Sequence, residues 1–250
     1  MVTVVTWNCS QAFRRKKDHV LQAYNPDILV IQECENPAVY GDWGEFSDWV
    51  WDGNDDTRGI GIFARNGIEL TEEHGNNRAS IAAETSSPVD VIGVWTKNDA
   101  TNPANRYISQ AYTALKKYDD WLDEDTLVVG DFNWNATFPQ SPHLEPLQHD
   151  FTETIQLLQA HNLTSAYHAT TGCGFGEEHD PTYYARNRSW NGRNEETGAL
   201  YHTDYVFLNT DLVPAITDVQ LGTKQDWVYN WDGCSDHVPV RVTLECHDSQ

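Results

Sequence analysis

The sequence is short of positive charge: 16 Lys and Arg stand against 38 Asp and Glu, a net charge of −22 over 250 residues. A field of that sign repels a polyanion at long range, so charge alone argues against nucleic acid unless salt or divalent cations screen it. Lysine is the scarcer base, 6 of the 16, and Asp outnumbers Glu by 23 to 15. That balance is compatible with a salt-adapted organism, and activity followed from dilute buffer to molar salt tests it. Cysteine is sparse as well, with five residues at positions 9, 34, 173, 234 and 246, an odd number without CxxC spacing. Neither a zinc site nor a complete disulfide framework follows. No apolar run approaches a membrane span, and no basic-then-apolar segment opens the chain. The default expectations are a cytoplasmic location and no membrane partner, although a removed signal peptide would leave no trace. No hydrophobic heptad suggests an obligate oligomer, so a monomer is expected.

Aromatic residues, in contrast, are plentiful: 8 Phe, 11 Tyr and 10 Trp. With 39% hydrophobic residues the chain can bury a sizeable core, and its length fits one domain over 1–250. Residues 2–8 (VTVVTWN) and 28–33 (ILVIQE) read as buried strands. Between them a helical stretch from Phe13 to Tyr24 stops at Asn25-Pro26, giving the spacing of a βαβ unit. Residues 36–57, rich in Trp, Asp and Gly, read as a long loop. Short strands follow near 59–64, 68–72, 79–84 and 89–95, then a helical period over 106–122, a buried strand at 126–131 and a helix over 150–161. Residues 171–200 read as a loop holding a strand at 182–184, and strands return at 203–208, 215–220 and 238–245. Many strands with few helices predict an α+β domain in which two sheets pack together.

Acidic residues punctuate the apolar strands. Glu33 ends ILVIQE, Asp131 ends LVVGD, Asp204 opens DYVFL, and Asp236-His237 precede VPVRVTL. One carboxylate in a strand-end turn is unremarkable. Four at the ends of four buried strands supply the hard oxygen donors that suit Mg²⁺ or Mn²⁺ rather than zinc. Cys9 and Cys34 each follow a residue of this group and, by strand alternation, face away as small buried hydrophobes.

The stretches TWN (6–8), IQE (31–33), GDFN (130–133), HTDYVF (202–207) and SDH (235–237) occur in an order that resembles the endonuclease/exonuclease/phosphatase superfamily, which includes deoxyribonuclease I and exonuclease III. The resemblance implies a four-layer α/β/β/α sandwich: two mixed β-sheets face to face with helices outside. It also implies a divalent-metal-dependent phosphodiesterase, with a nuclease as the first choice. By the same resemblance, Glu33, Asp236 and the amide oxygen of Asn8 would hold the metal. Asp131 would orient or deprotonate the attacking water, and Asn133 would hold that water or a phosphoryl oxygen. His237 would contact the scissile phosphate, with Asp204 fixing its tautomer. His202 is read as structural, and His19, His74, His161 and His247 as surface residues.

Two positions depart from that pattern. Trp95 stands where many members place a phosphate-contacting His or Tyr, so Lys97, Asn98 or Tyr107 would supply the contact. Ser10 stands where the exonuclease III branch has an acidic residue, which leaves ligation to Glu33 and Asp236. For substrate, Arg186, Arg188 and Arg193 surround Trp190 in the segment RNRSWNGR, a combination of phosphate-matching guanidinium groups and a stacking ring suited to nucleic acid, with DNA preferred. A basic run, Arg14-Arg15-Lys16-Lys17, is either a backbone contact or a solvated helix face. The competing readings are a phosphatase or phosphodiesterase on a small or lipid substrate, and a non-catalytic binding protein on the same fold.

Overall fold

Buried β-branched runs set the architecture. In this computed structural model, which describes residues 1–73, 79–122, 125–138, 143–188, 194–228 and 235–245, they form two six-stranded mixed sheets. The first sheet has the order β13 (Ile216–Leu221), β14 (Val240–Leu244), β1 (Val2–Asn8), β2 (Ile28–Cys34), β4 (Arg58–Ala64) and β3 (Asp48–Asp55). The second runs β5 (Leu70–Glu73), β6 (Ser80–Thr85), β7 (Asp90–Trp95), β8 (Thr126–Asp131), β12 (Asp204–Asn209) and β9 (Leu163–Ser165). Each sheet contains one parallel pair, β1 with β2 and β7 with β8, and all its other pairs are antiparallel.

Alternation along the strands explains the four layers. Val4, Val30, Val91 and Val129 point between the sheets into one core. Their neighbours Val5, Leu29 and Ile31 pack outward under α1 (Lys17–Tyr24), through Val20 and Tyr24. On the far side Ile92 and Val128 meet α2 (Ile108–Lys117) and α3 (Phe151–Ala160), through Ile108, Leu115, Ile155 and Leu158. The helix start at α3 is specified locally: Asp150 and Glu153 form a reciprocal capping box. Cys9 and Cys34 are fully buried, and burial pushes both thiols upward.

Four expectations need correction. Residues 36–57 are not all loop, because β3 occupies 48–55 as the edge strand of the first sheet. Its Val50 enters the inter-sheet core while Trp49 and Trp51 pack on the outer face, and an edge tolerates the flanking Asp residues that disguised it. The segment 171–200 is likewise more than a loop, holding the end of α4 (Ala166–Thr171, which starts just before it) and the hairpin β10 (Tyr183–Arg188) with β11 (Asn194–Tyr201). The helical stretch after β1 begins as a 3-10 turn at Phe13–Arg15, with α1 starting at Lys17. A last short helix, α5 (Lys224–Trp227), brings Trp227 against Trp7, Tyr24 and the ring of His19, which is therefore half-buried rather than a surface residue. His161 is partly exposed and meets Asp119, while His74 and His247 lie outside the described residues.

Candidate active site

The strand register brings the acidic strand ends together. Asp131 ends β8 directly opposite Asp204 at the start of antiparallel β12, and Trp95 at the end of β7 lies on its other side. Gly130 makes this possible: it sits at φ +148°, and a Cβ there would lie 2.0 Å from the Val94 carbonyl oxygen. His237 arrives from the first sheet's side, just before β14. Trp7 Nε1 donates to its carbonyl at 3.0 Å, and its N–H donates to Ser235 Oγ, which in turn donates to the Asn8 carbonyl.

Asp131, Asp204 and His237 are all buried, and their ligand atoms lie within 4.8 Å of one another, a group able to hold a metal ion. Within it His237 Nδ1 donates to Asp204 Oδ2 at 2.8 Å, and Nε2 lies 3.9 Å from Asp131 Oδ2. Burial disfavours the imidazolium, but the two carboxylates outweigh it and raise the His237 pKa. The two carboxylates thus favour the charged form, and the bond to Asp204 orients the ring. Burial also pushes the Asp131 carboxyl well above the usual range. The His237 charge and the Asn8 hydrogen bond oppose that rise, and Asp204 adds to it. A carboxylate raised toward neutrality is suited to accept a proton.

Asn8 and Asn133 hold Asp131 from both sides. Asn8 Nδ2 donates to Asp131 Oδ2 at 2.9 Å and approaches Glu33 Oε1 at 3.4 Å. Its oxygen accepts the Ser10 N–H at 3.1 Å, so Asn8 turns its amino group, not its oxygen, toward the carboxylates. In this arrangement the amide oxygen expected to meet the metal is the acceptor for Ser10, and a flipped amide would leave that donor without its acceptor. Asn133 is not on a continuing strand, since β8 stops at Asp131. Instead it returns through a left-handed backbone (φ +49°), and its N–H and Nδ2 both donate to Asp131 at 2.8 Å. A third bond from Nδ2 reaches the Thr96 carbonyl at 2.9 Å.

Glu33 sits in a β-bulge of β2, at φ +61° where the register shifts between Gln32 and Cys34. It is partly exposed, and Arg58 Nη2 reaches its Oε1 at 2.5 Å. Asp236 is partly exposed, and its carbonyl accepts the Tyr184 N–H at 2.8 Å. Oxygen donors dominate this donor set, which fits Mg²⁺ or Mn²⁺ better than a softer metal. Asp204 Oδ1 is buried with no hydrogen-bond partner among the described residues, an oxygen lone pair still available in the cluster.

Several neighbours were not foreseen. Thr182 Oγ1 donates to Asp204 Oδ2 at 2.6 Å while accepting the backbone N–H groups of Thr203 and Asp204. The Tyr183 ring lies 5.0 Å from that of His237. Both reach the cluster by tertiary approach, and no spacing in the sequence marks them. Lys97 Nζ sits 3.8 Å over the ring of buried Trp95, and the Arg58 guanidinium lies 5.4 Å from the same ring, so cations flank the Trp that replaces the expected His or Tyr. Asn98 is exposed beside Lys97, and Tyr107 caps α2 with its N–H on the Lys97 carbonyl. Arg186 and Arg188 have backbone positions on β10, but their side chains, with Trp190 and Arg193, lie outside the described residues. His202 is buried and structural: its Nδ1 meets the Asp180 carbonyl at 2.9 Å.

No curated protein matches the chain. Among solved structures, the 3′ phosphatase NExo from Neisseria, bound to a product DNA hairpin, is similar at 20% identity and a TM-score of 0.70, covering 98% of this chain and 100% of that one. An AP endonuclease from Archaeoglobus fulgidus is similar at 18% identity and a TM-score of 0.73, with the same coverage of 98% and 100%. D. rerio TDP2 complexed with a single-strand DNA product is similar at 16% identity and a TM-score of 0.62, covering 98% and 99%. At these identities the likeness shows the fold, two packed mixed sheets of the deoxyribonuclease I type. The sequence pattern of the Endonuclease/Exonuclease/phosphatase family matches residues 5–237, and the chain belongs to that family of phosphoester hydrolases.

Proposed function

We propose that the chain is a single catalytic domain, a Mg²⁺- or Mn²⁺-dependent phosphodiesterase whose substrate is nucleic acid, with DNA preferred. The observation that carries this reading is the buried Asp204–His237 pair set 3.9 Å from Asp131, which Asn8 and Asn133 orient. Asp131 accepts the proton of the attacking water as its oxygen bonds to phosphorus in line with the departing oxygen. Asn133 fixes Asp131 and, with it, the line of attack. His237, held charged by Asp204, donates through Nε2 to a phosphoryl oxygen as negative charge builds there. No side chain is needed as a covalent nucleophile.

Glu33 and Asp236 would hold the metal, with Asn8 steering Glu33 through its amino group. When bound, the ion would stabilise charge on the phosphoryl and leaving oxygens. Lys97, Asn98 or Tyr107 would supply the further contact to the scissile phosphate, a reading supported by the Lys97 ammonium over Trp95 at the end of β7. Arg186, Arg188 and Trp190 belong to the segment best suited by composition to grip a strand. Relatives crystallised with DNA favour nucleic acid over the small-phosphoester alternative. Labelled DNA and RNA oligonucleotides, assayed beside a panel of inositol phosphates and phospholipids, test the choice. Cleavage confined to the panel would overturn the nuclease reading and leave the chemistry standing.

A further inference from the structure

A polar cavity of about 430 Å³ opens beside the active site, between the end of β7 and α2. Its lining includes Lys97, Asn98, Asn105, Gln110 and Lys117, with Asp99 as the sole carboxylate among the described lining residues. On a chain of net charge −22, a cavity lined by two lysines and four amides, Asn54 among them, is out of character. For two of those amides the hydrogen bonds decide which end is left to the space. Gln110 Oε1 accepts the Lys97 N–H at 2.9 Å, so the atom left to the cavity is the donor Nε2. Asn105 Oδ1 takes the Ser109 hydroxyl at 3.4 Å, which likewise leaves Nδ2. Asp99 Oδ1 is engaged by its own loop, accepting from Thr101 N and Oγ1 and from Asn102 N at 2.6–2.9 Å. The cavity therefore presents donors and positive charge, the chemistry of an anion site.

Its place in the fold says which anion. Thr96, the residue before Lys97, donates its N–H to the Asp131 carbonyl and accepts the Asn133 side chain on its own carbonyl. The cavity thus starts one residue from the turn that holds the reacting groups, and Lys97, whose ammonium lies over Trp95, is one of its lining residues. We propose that this cavity is a second phosphate subsite, which takes a phosphodiester group of the same nucleic-acid strand beside the scissile one. The inference rests on the nuclease reading above. It adds Asn105, Gln110 and Lys117 as specificity-determining residues and explains how so acidic a protein could retain a polyanion close to its centre.

Gln110→Glu is the sharpest test, because the carboxylate still accepts the Lys97 N–H while the cavity loses a donor and gains a negative charge. Lys117→Glu, at the exposed last turn of α2, is the second variant. Both are checked for an unchanged Tm and assayed on an oligonucleotide carrying one methylphosphonate linkage, walked outward from the scissile bond. For an all-phosphate substrate each variant should raise KM about tenfold at unchanged kcat and flatten its dependence on salt. At one linkage the neutral methylphosphonate should raise the wild-type KM by a similar factor and leave the variants unaffected. If the wild type cleaves oligonucleotides and both variants keep its KM, the subsite is wrong and the nuclease reading survives. If the wild type cleaves no oligonucleotide, both fall together.

Discussion

The two sheets bring unlike halves to the site. The second sheet supplies Asp131 and Asp204, each fully buried and locked by neighbouring strands, and Asn133 just beyond. The first supplies Glu33 from a bulge, partly exposed and paired with the half-exposed Arg58, together with the partly exposed Asp236. His237 crosses between them, carried by the first sheet and bonded to the second. Burial is what separates the halves. The enclosed half has a low local dielectric, strong hydrogen bonds and raised pKa values, as proton transfer needs. The open half keeps its carboxylates accessible, as exchange of an ion and substrate needs.

The comparison predicts graded failures. Replacing His237 with Ala strikes the enclosed half and should lower kcat by about a thousandfold. It also leaves two buried carboxylates without their counter-charge, so Tm should fall, and a scan that finds both quantities unchanged would remove His237 from the mechanism. Glu33→Gln acts on the open half. Its Mn²⁺ affinity, read by calorimetry, should weaken by at least about tenfold with little change in Tm, because the Arg58 pair it loses is half-exposed and contributes little. A large fall in Tm with unaltered Mn²⁺ binding would reverse the roles of the halves. Thr182→Val should lower kcat by about tenfold and shift the basic limb of the pH profile to higher pH, as Asp204 loses one of three hydrogen bonds, is less firmly oriented, and leaves its charge less compensated beside the imidazolium. Thr182→Ser should restore both, and an unmoved pH profile would reduce Thr182 to a packing residue.

A smaller effect belongs to the strap that leads into Thr182. Burial works against the Glu178 carboxylate, yet hydrogen bonds from His168, the Gly176 N–H and Asn135 outweigh it and bring its pKa down from 4.5 to about 2. A depressed carboxyl stabilises the fold above its unfolded pKa and ceases to do so as pH falls through the folded one. Stability should therefore decline between pH 4.5 and 2 by up to about 3 kcal/mol from this group. Glu178→Gln should flatten that part of the pH–stability curve, while an unchanged acid limb would show that the strap is not anchored there.

The enclosed half was legible in the sequence because its residues end apolar strands: LVVGD and DYVFL mark Asp131 and Asp204 by the abrupt change from buried runs to a carboxylate. The strand-rich fold was legible for the same reason, although β3 hid behind the Asp residues of an edge and the β10–β11 hairpin behind Asn, Arg and Gly. What could not be read depends on register and approach. Thr182 meets Asp204 through a hairpin that a single sequence cannot dock, and Arg58 faces Glu33 only because β4 pairs with β2 across a bulge. The orientation of the Asn8 amide was set by the Ser10 N–H, a local hydrogen bond with no compositional mark.

Asp131→Asn gives the most direct test of the central claim, because it keeps the shape of the side chain and removes the carboxylate, at the cost of turning its amino group toward a donor whose hydrogen bond Asp131 now accepts. The measurement is single-turnover cleavage of a labelled oligonucleotide with Mg²⁺, for wild type and variant, with Tm recorded on the same samples. The account predicts cleavage by the wild type that a chelator abolishes, and at least a thousandfold loss in the variant (about 4 kcal/mol of transition-state stabilisation) at a Tm that falls by no more than one lost hydrogen bond accounts for. Cleavage by Asp131→Asn at the wild-type rate, or wild-type cleavage indifferent to the chelator, would contradict it.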